Sequence, residues 1–148
     1  MPLSAKGPTI SQTYYFRAPR AKVFRALTEP SELARWFLKT ARLPPRAGAE
    51  YEFVWLPGYR HRAKVIAFVP NRKLALEWPA QRLGMTRVTF TLTAQKGGTR
   101  LTLRHTGYGV TPAWIRNYGG TNQGWAYFLM NLKSVLRNGT DLRDARDG

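Results

Sequence analysis

The chain has 148 residues, 43% of them hydrophobic and 13% aromatic, which is enough for one folded core and too much for a disordered chain. Cysteine is absent, which excludes disulfides, thiolate nucleophiles and cysteine-held zinc. Against 8 Asp and Glu stand 24 Lys and Arg, a formal charge of +16, and no acidic residue occurs from Trp78 to Thr140. Such a chain attracts polyanions: nucleic acid, an anionic membrane or an acidic protein.

Residues 1–8 read as a loose leader without the apolar run of a signal peptide. No stretch reaches the roughly 18 apolar residues of a membrane span, so a cytoplasmic location is expected. Thr9 to Phe16, rich in β-branched and aromatic residues, predicts a strand. Ala18-Pro19 opens a helix with apolar Val23, Phe24 and Leu27 on one face. Thr28 to Glu32 stops it and starts a second short helix that buries Leu33, Trp36 and Phe37. Glu29 and Glu32 fit there as acids at a helix start. Leu43 to Gly48 is a proline-glycine loop.

Five segments of period two follow, around Tyr51–Trp55, Arg60–Val65, Lys73–Trp78, Arg87–Thr93 and Arg100–Arg104. Pro57-Gly58, Pro70-Asn71 and Lys96-Gly97-Gly98 supply turns. The pattern predicts an antiparallel meander with one dry and one wet face. Trp125, Phe128, Leu129, Leu132, Val135 and Leu136 then form the stripe of an amphipathic helix, capped by Gly139. Thr111-Pro112 offers an earlier start, but Gly119-Gly120 is expected to kink or break the helix. One domain therefore spans 9–138, and 139–148 reads as a frayed tail.

Only the last helix is long enough to cover the dry face, so the fold class is α+β, a curved antiparallel sheet wrapped around it. Large groups crowd that face, which predicts a partly hollow, aromatic-lined interior suited to a small molecule. The candidate lining is Trp36, Tyr51, Phe53, Trp55, Tyr59, His61, Trp78, Phe90, His105, Trp125, Phe128 and Leu129.

The run Ala18-Pro19-Arg20-Ala21-Lys22-Val23-Phe24-Arg25-Ala26-Leu27-Thr28-Glu29-Pro30 resembles the opening of the START-like superfamily, and most the branch named for the activator of the heat-shock chaperone ATPase. Leu33 with Trp36-Phe37, Gly48 with Tyr51 and Phe53, and Pro70 with Leu74 and Trp78 continue the match. Gly97 to Leu103 with His105, and Gly124-Trp125 with Leu129 and Leu132-Lys133, complete it over about residues 10–138. The resemblance implies a helix-grip fold with a cavity for hydrophobic ligands, lipids included. It implies no chemistry, because the superfamily holds carriers, cyclases, hydrolase-like enzymes and chaperone cofactors.

The two histidines, His61 and His105, alternate onto the dry face, where they could flank a ligand or act as acid and base. Glu50, Glu52 and Glu77 fall on the other face, so no metal site is expected, and no cofactor motif occurs. Glu50 and Glu52 are expected to pair with outward Arg or Lys across strands. Arg60, Arg62, Lys64, Arg87, Arg100 and Arg104 share the outer face, a salt-sensitive footprint for weak polyanion or acidic-protein contact. Three readings follow: a domain binding a hydrophobic or aromatic small molecule, a stress or chaperone accessory acting by protein contact, and a cyclase- or hydrolase-like enzyme using the same cavity. An edge strand leaves dimerisation open.

Overall fold

The computed structural model describes residues 6–56 and 58–143. The element order is β1 (Ile10–Phe16), α1 (Arg20–Thr28), α2 (Pro30–Trp36), β2 (Thr40–Arg42), β3 (Glu50–Val54), β4 (Arg60–Val69), β5 (Lys73–Ala80), β6 (Gly84–Gln95), β7 (Gly98–Thr106) and α3 (Pro112–Asn138). The strands form one antiparallel sheet of seven, in the order β1-β7-β6-β5-β4-β3-β2. The first strand thus closes beside the last, and the meander between them runs in sequence. A register shift between Val65 and Ala67 bulges β4 against β5 and bends the sheet.

The alternation works as expected. Val88, Phe90 and Leu92 on β6 stand opposite His105, Leu103 and Leu101 on β7, and all six side chains are buried. Arg87, Thr91, Thr93 and Arg104 between them are exposed. Against this dry face lie Trp125, Leu129, Leu132 and Val135 of α3, with α1 and α2 over one end. Three residues of β2 escaped the sequence pattern: the strand is too short, and too exposed, to show a period.

Five expectations are corrected. Gly119-Gly120 does not break α3, which runs unbroken from the Thr111 cap to Gly139, whose φ is 74°. Two glycines cost about 1 kcal/mol each against alanine, and the packed stripe and the Thr111 and Pro112 start outweigh that. Pro19 is the cap of α1, not its first residue, and Glu29 caps α2 without a side-chain hydrogen bond. Of the leader, Gly7 is tied down: its N–H donates to the Tyr108 carbonyl at 2.8 Å.

The tail is docked as far as Arg143. Its guanidinium donates to the Ala34 and Leu38 carbonyls, at 2.8 and 3.1 Å, at the end of α2. It also grips Asp141, whose carboxylate accepts from buried Asn131 at 2.9 Å. Burial alone would raise the Asp141 carboxyl, but the hydrogen bonds from Arg143 and Asn131 hold it down at about 2. Residues 1–5, Pro57 and 144–148 lie outside the described residues.

Candidate functional site

Most of the candidate lining fills the interior instead of surrounding a void. Phe37 stacks on Trp36 at 4.9 Å between centroids and meets Trp125 at 5.4 Å and Phe128 at 4.9 Å. It also reaches Phe53, Trp55 and Trp78. Trp125 in turn packs on Phe90 at 5.6 Å. The space left among Leu27, Leu33, Phe37, Phe53, Trp78 and Phe90 is about 10 Å³, too little for any organic ligand. Trp36, Tyr51, Phe53, Phe90, Trp125 and Leu129 are therefore core residues here, and Trp55 and Phe128 are half-buried against them. The sequence put Phe37 on the buried side of α2, but not at the centre, where it plugs the space expected to be hollow.

Open space lies at the other end. A cleft of about 340 Å³ is lined by Tyr59, Trp78, Pro79, Ala80, Gln81, Thr86, His105, Tyr108, Asn117 and Thr121. From the candidate set it brings together Tyr59, Trp78 and His105. The histidines flank Trp78, with ring centroids 4.7 Å away for His61 and 6.2 Å for His105.

The hydrogen bonds fix the state of His105. Trp125 Nε1–H is a donor only, and it donates to His105 Nδ1 at 3.1 Å. His105 therefore carries its proton on Nε2 and donates it to Thr86 Oγ1 at 2.7 Å. Thr86 passes its own proton to the Trp78 carbonyl at 2.6 Å. Both ring nitrogens are engaged, and burial pushes the imidazole down to about 3. The neutral ring is a rigid wall, not a free base. The same logic holds for His61. Tyr51 spends its hydroxyl proton on the Glu77 carbonyl, so the 3.0 Å contact requires His61 Nε2 to donate. Burial lowers His61 to about 4. Burial likewise raises the Tyr51 phenol, with the charges of Glu77 and Tyr59 adding to it.

Tyr108 is the residue that sequence reading missed. Its side chain is 4% exposed, and its hydroxyl has no hydrogen-bond partner among the described residues. Burial raises this phenol, and the Thr121 hydroxyl eases the shift without standing in bonding geometry to it. Two glycines place the ring. Gly107 turns the chain at φ 99°, and a Cβ there would sit 3.2 Å from Thr86 Cα. A Cβ on Gly109 would meet the Trp114 ring at 2.6 Å, so Trp114 lies flat on the loop. In the sequence, Gly107-Tyr108-Gly109 by itself predicts only a loop.

The cleft carries no charged side chain, although the protein is strongly basic. On the outer sheet face, Glu52 accepts from Arg62 at 3.0 Å and Arg60 at 3.3 Å, and Glu50 faces Arg42 at 3.7 Å. Part of the expected footprint is thus neutralised: Arg60 and Arg62 share one carboxylate, Arg87 stands opposite Glu77, and Lys64 stands opposite Glu50. Arg100 and Arg104 have no acidic neighbour in the register.

A family model for activator of Hsp90 ATPase homolog 1-like proteins matches residues 17–137. The chain belongs to that family. Solved structures agree on the helix-grip architecture. The Mesorhizobium loti protein MLL2253 is 29% identical, with a TM-score of 0.78 over 91% of this chain and 100% of that one. The Aha1 dimer from Colwellia psychrerythraea is 22% identical, with a TM-score of 0.76 over 90% and 99%. A Staphylococcus saprophyticus protein, SSP2350, is 19% identical, with a TM-score of 0.79 over 93% and 98%. No curated protein matches. For this Aha1-like chain the family accounts for the fold and for a general ligand-binding or accessory role. No helix among the described residues is long and apolar enough to cross a membrane.

Proposed function

We propose that this Aha1-like domain binds a compact, uncharged aromatic molecule in the cleft between Trp78, Tyr59 and Tyr108. The observation that carries the reading is a charge-free cleft lined by Tyr108, whose hydroxyl is buried just behind the ring and has no partner among the described residues. A buried hydroxyl without a partner costs about 1–3 kcal/mol, and a ligand that draws the Tyr108 ring toward the cleft would recover it. Trp78 and Tyr59 offer ring faces and edges, and Asn117, Thr121 and Gln81 offer polar contacts at the rim. The volume is at the small end for ligand pockets, which suits a phenol or a fused two-ring compound better than a long lipid chain. The absence of charge in a chain of +16 argues against an anionic ligand at this position. His105, with both nitrogens engaged, holds Trp78 and Trp125 in place and takes no proton from the ligand.

Titration with 1-naphthol, followed by tryptophan fluorescence, tests the reading, because Trp78 lies against the ligand. Tyr108→Phe should weaken binding about fivefold, the worth of one neutral hydrogen bond. Equal binding by wild type and Tyr108→Phe, or none by either, would sink the proposed site. Native mass spectrometry of freshly purified protein, followed by organic extraction, would identify a resident ligand.

A further inference from the structure

The opposite end of α3 carries a second concave surface of different chemistry. A groove of about 970 Å³ is lined by Tyr15, Phe16, Arg17, Ala18, Lys96, Lys133, Leu136 and Arg137, with Gln95 and Gly97 to Thr99. Lys133 and Arg137 are one helical turn apart on α3, about 24 Å along the axis from Asn117 and Thr121 at the cleft.

The groove is built by a close approach. Gly98 follows the β6–β7 turn, and a Cβ there would lie 1.9 Å from the Phe16 carbonyl oxygen. Only glycine lets the hairpin press on the end of β1. The Thr99 hydroxyl then locks it by donating to the Ala18 carbonyl at 2.7 Å. Lys133 sits over the Phe16 ring, 5.9 Å from its centroid. The floor is thus apolar and backbone, and the rim is Arg17, Lys96, Lys133 and Arg137.

None of these cations has an acidic partner among the described residues. No acidic residue lies on β1, β6, β7 or α3. Four like charges around one concavity repel one another, and an anion relieves that repulsion. The basic track also continues out of the groove. Tyr15, 57% exposed on the edge strand, pairs with Arg100 across the sheet, and Ser11 pairs with Arg104. Arg100 to Arg104 adds about 13 Å along β7.

From this arrangement we infer that the groove and its continuation over Arg100 and Arg104 bind single-stranded nucleic acid. The length of the acid-free track fits a polyphosphate chain better than an isolated phosphate. Tyr15 decides between polyanions. Its exposed ring lines the groove with Arg17 and belongs to the residue paired with Arg100, a stacking platform for a base that the carboxylates of an acidic peptide would not use. The inference is independent of the cleft, which is uncharged and at the far end of the helix.

Fluorescence anisotropy of labelled dT20 with the whole protein, between 50 and 200 mM salt, provides the test. Lys96→Gln with Lys133→Gln and Arg137→Gln should flatten the plot of log K against log salt by about 2, roughly 0.7 per lost cation. Tyr15→Ala should weaken binding on the order of tenfold and leave that slope unchanged. Arg60→Gln with Arg62→Gln, off the groove and sharing the Glu52 carboxylate, should change neither. If the triple variant melts early because Lys133 no longer covers Phe16, Lys96→Gln with Arg137→Gln alone should flatten the slope by about 1.4. No binding of dT20 at 50 mM salt overturns the inference. So does an equal loss in the Arg60/Arg62 control, which would mean diffuse charge. Displacement by polyglutamate together with indifference to Tyr15→Ala would reassign the groove to an acidic protein.

Discussion

The two ends of the space between the sheet and α3 are made of the same kinds of residue and come out differently. At the α2 end, Phe37 enters between Trp36, Trp78 and Trp125 and leaves about 10 Å³. At the β5–β6 end, Trp78, His105 and Tyr108 wall a cleft of about 340 Å³. Composition does not separate them. What separates them is a lid. The short helix α2 delivers Trp36-Phe37 into one end, and only the first half of α3 spans the other. Satisfaction follows the same division. The Trp36 indole donates to the Ala26 carbonyl at 2.8 Å, and Asn131 places its amide on the Trp36 carbonyl, while the Tyr108 hydroxyl has no partner among the described residues. Packing and hydrogen bonding are complete where the protein is structural and incomplete where a ligand is proposed.

The strongest way to break this comparison is to remove the plug. Phe37→Ala should cost about 3–5 kcal/mol in denaturant unfolding, because its neighbours are held by the sheet and by α3 and cannot collapse onto the void. If the cost is under 1 kcal/mol, the closed end is not rigid and the contrast between the ends fails. Acid sharpens the same point from the other side. His61 and His105 are neutral in the folded protein at about 4 and about 3, but unfolded they titrate near the ordinary 6.5. Below 6.5 the unfolded chain binds protons that the folded one refuses, so stability falls with pH. Each histidine adds a slope of up to about 1.4 kcal/mol per pH unit, which ends as pH passes its folded value. Urea midpoints from pH 7 to 4 measure it. His105→Gln should flatten this limb, and a curve as steep as wild type would contradict the burial that keeps His105 neutral.

How far the sequence exposed this division can be stated residue by residue. Period two along the strands placed Phe90, Leu103 and His105 on the dry face, and the α3 stripe placed Trp125 and Leu129 against it, because both patterns record burial directly. The same patterns could not say whether a buried ring touches another ring or a void, so Trp36 and Phe53 were grouped with Trp78. Tyr108 lies on a loop, where no period exists, and its orientation depends on Gly107 and Gly109 meeting Thr86 and Trp114, which are distant in sequence. The groove was hidden for a related reason. Arg17, Lys96 and Lys133 belong to three separate segments, and only the packing of Gly98 on Phe16 brings them together.

The docked tail supports the plugged end from outside. Arg143→Ala should cost about 1–3 kcal/mol, since it strips the last carbonyls of α2 of a charge-assisted donor and frees Asp141. Thermal melting would show it, and a change below 0.5 kcal/mol would mean that Phe37 and the Trp36 and Asn131 hydrogen bonds hold α2 without the tail. At the open end the sign reverses. Tyr108→Phe removes a hydroxyl that no described residue satisfies, so the ligand-free protein should be unchanged or up to about 1 kcal/mol more stable. A clear loss of stability would show that the hydroxyl is bonded within the protein and would withdraw the main support for the cleft as a binding site.

The smallest effect concerns the helix that spans both ends. Gly119 and Gly120 are exposed, and a Cβ on either would meet nothing within 4 Å. Their cost to α3 is therefore only the greater freedom of glycine in the unfolded chain. Gly119→Ala and Gly120→Ala should each stabilise by roughly 0.5–1 kcal/mol. The useful readout is what happens beside them. Asn117 and Thr121 line the cleft from this stretch of helix, bonded to each other at 3.2 Å. If the substitutions raise stability and leave 1-naphthol binding unchanged, the helix is a fixed wall and the glycines are neutral to binding. If stability rises while binding weakens, entry to the cleft requires this segment to bend, and the glycines are there for that movement.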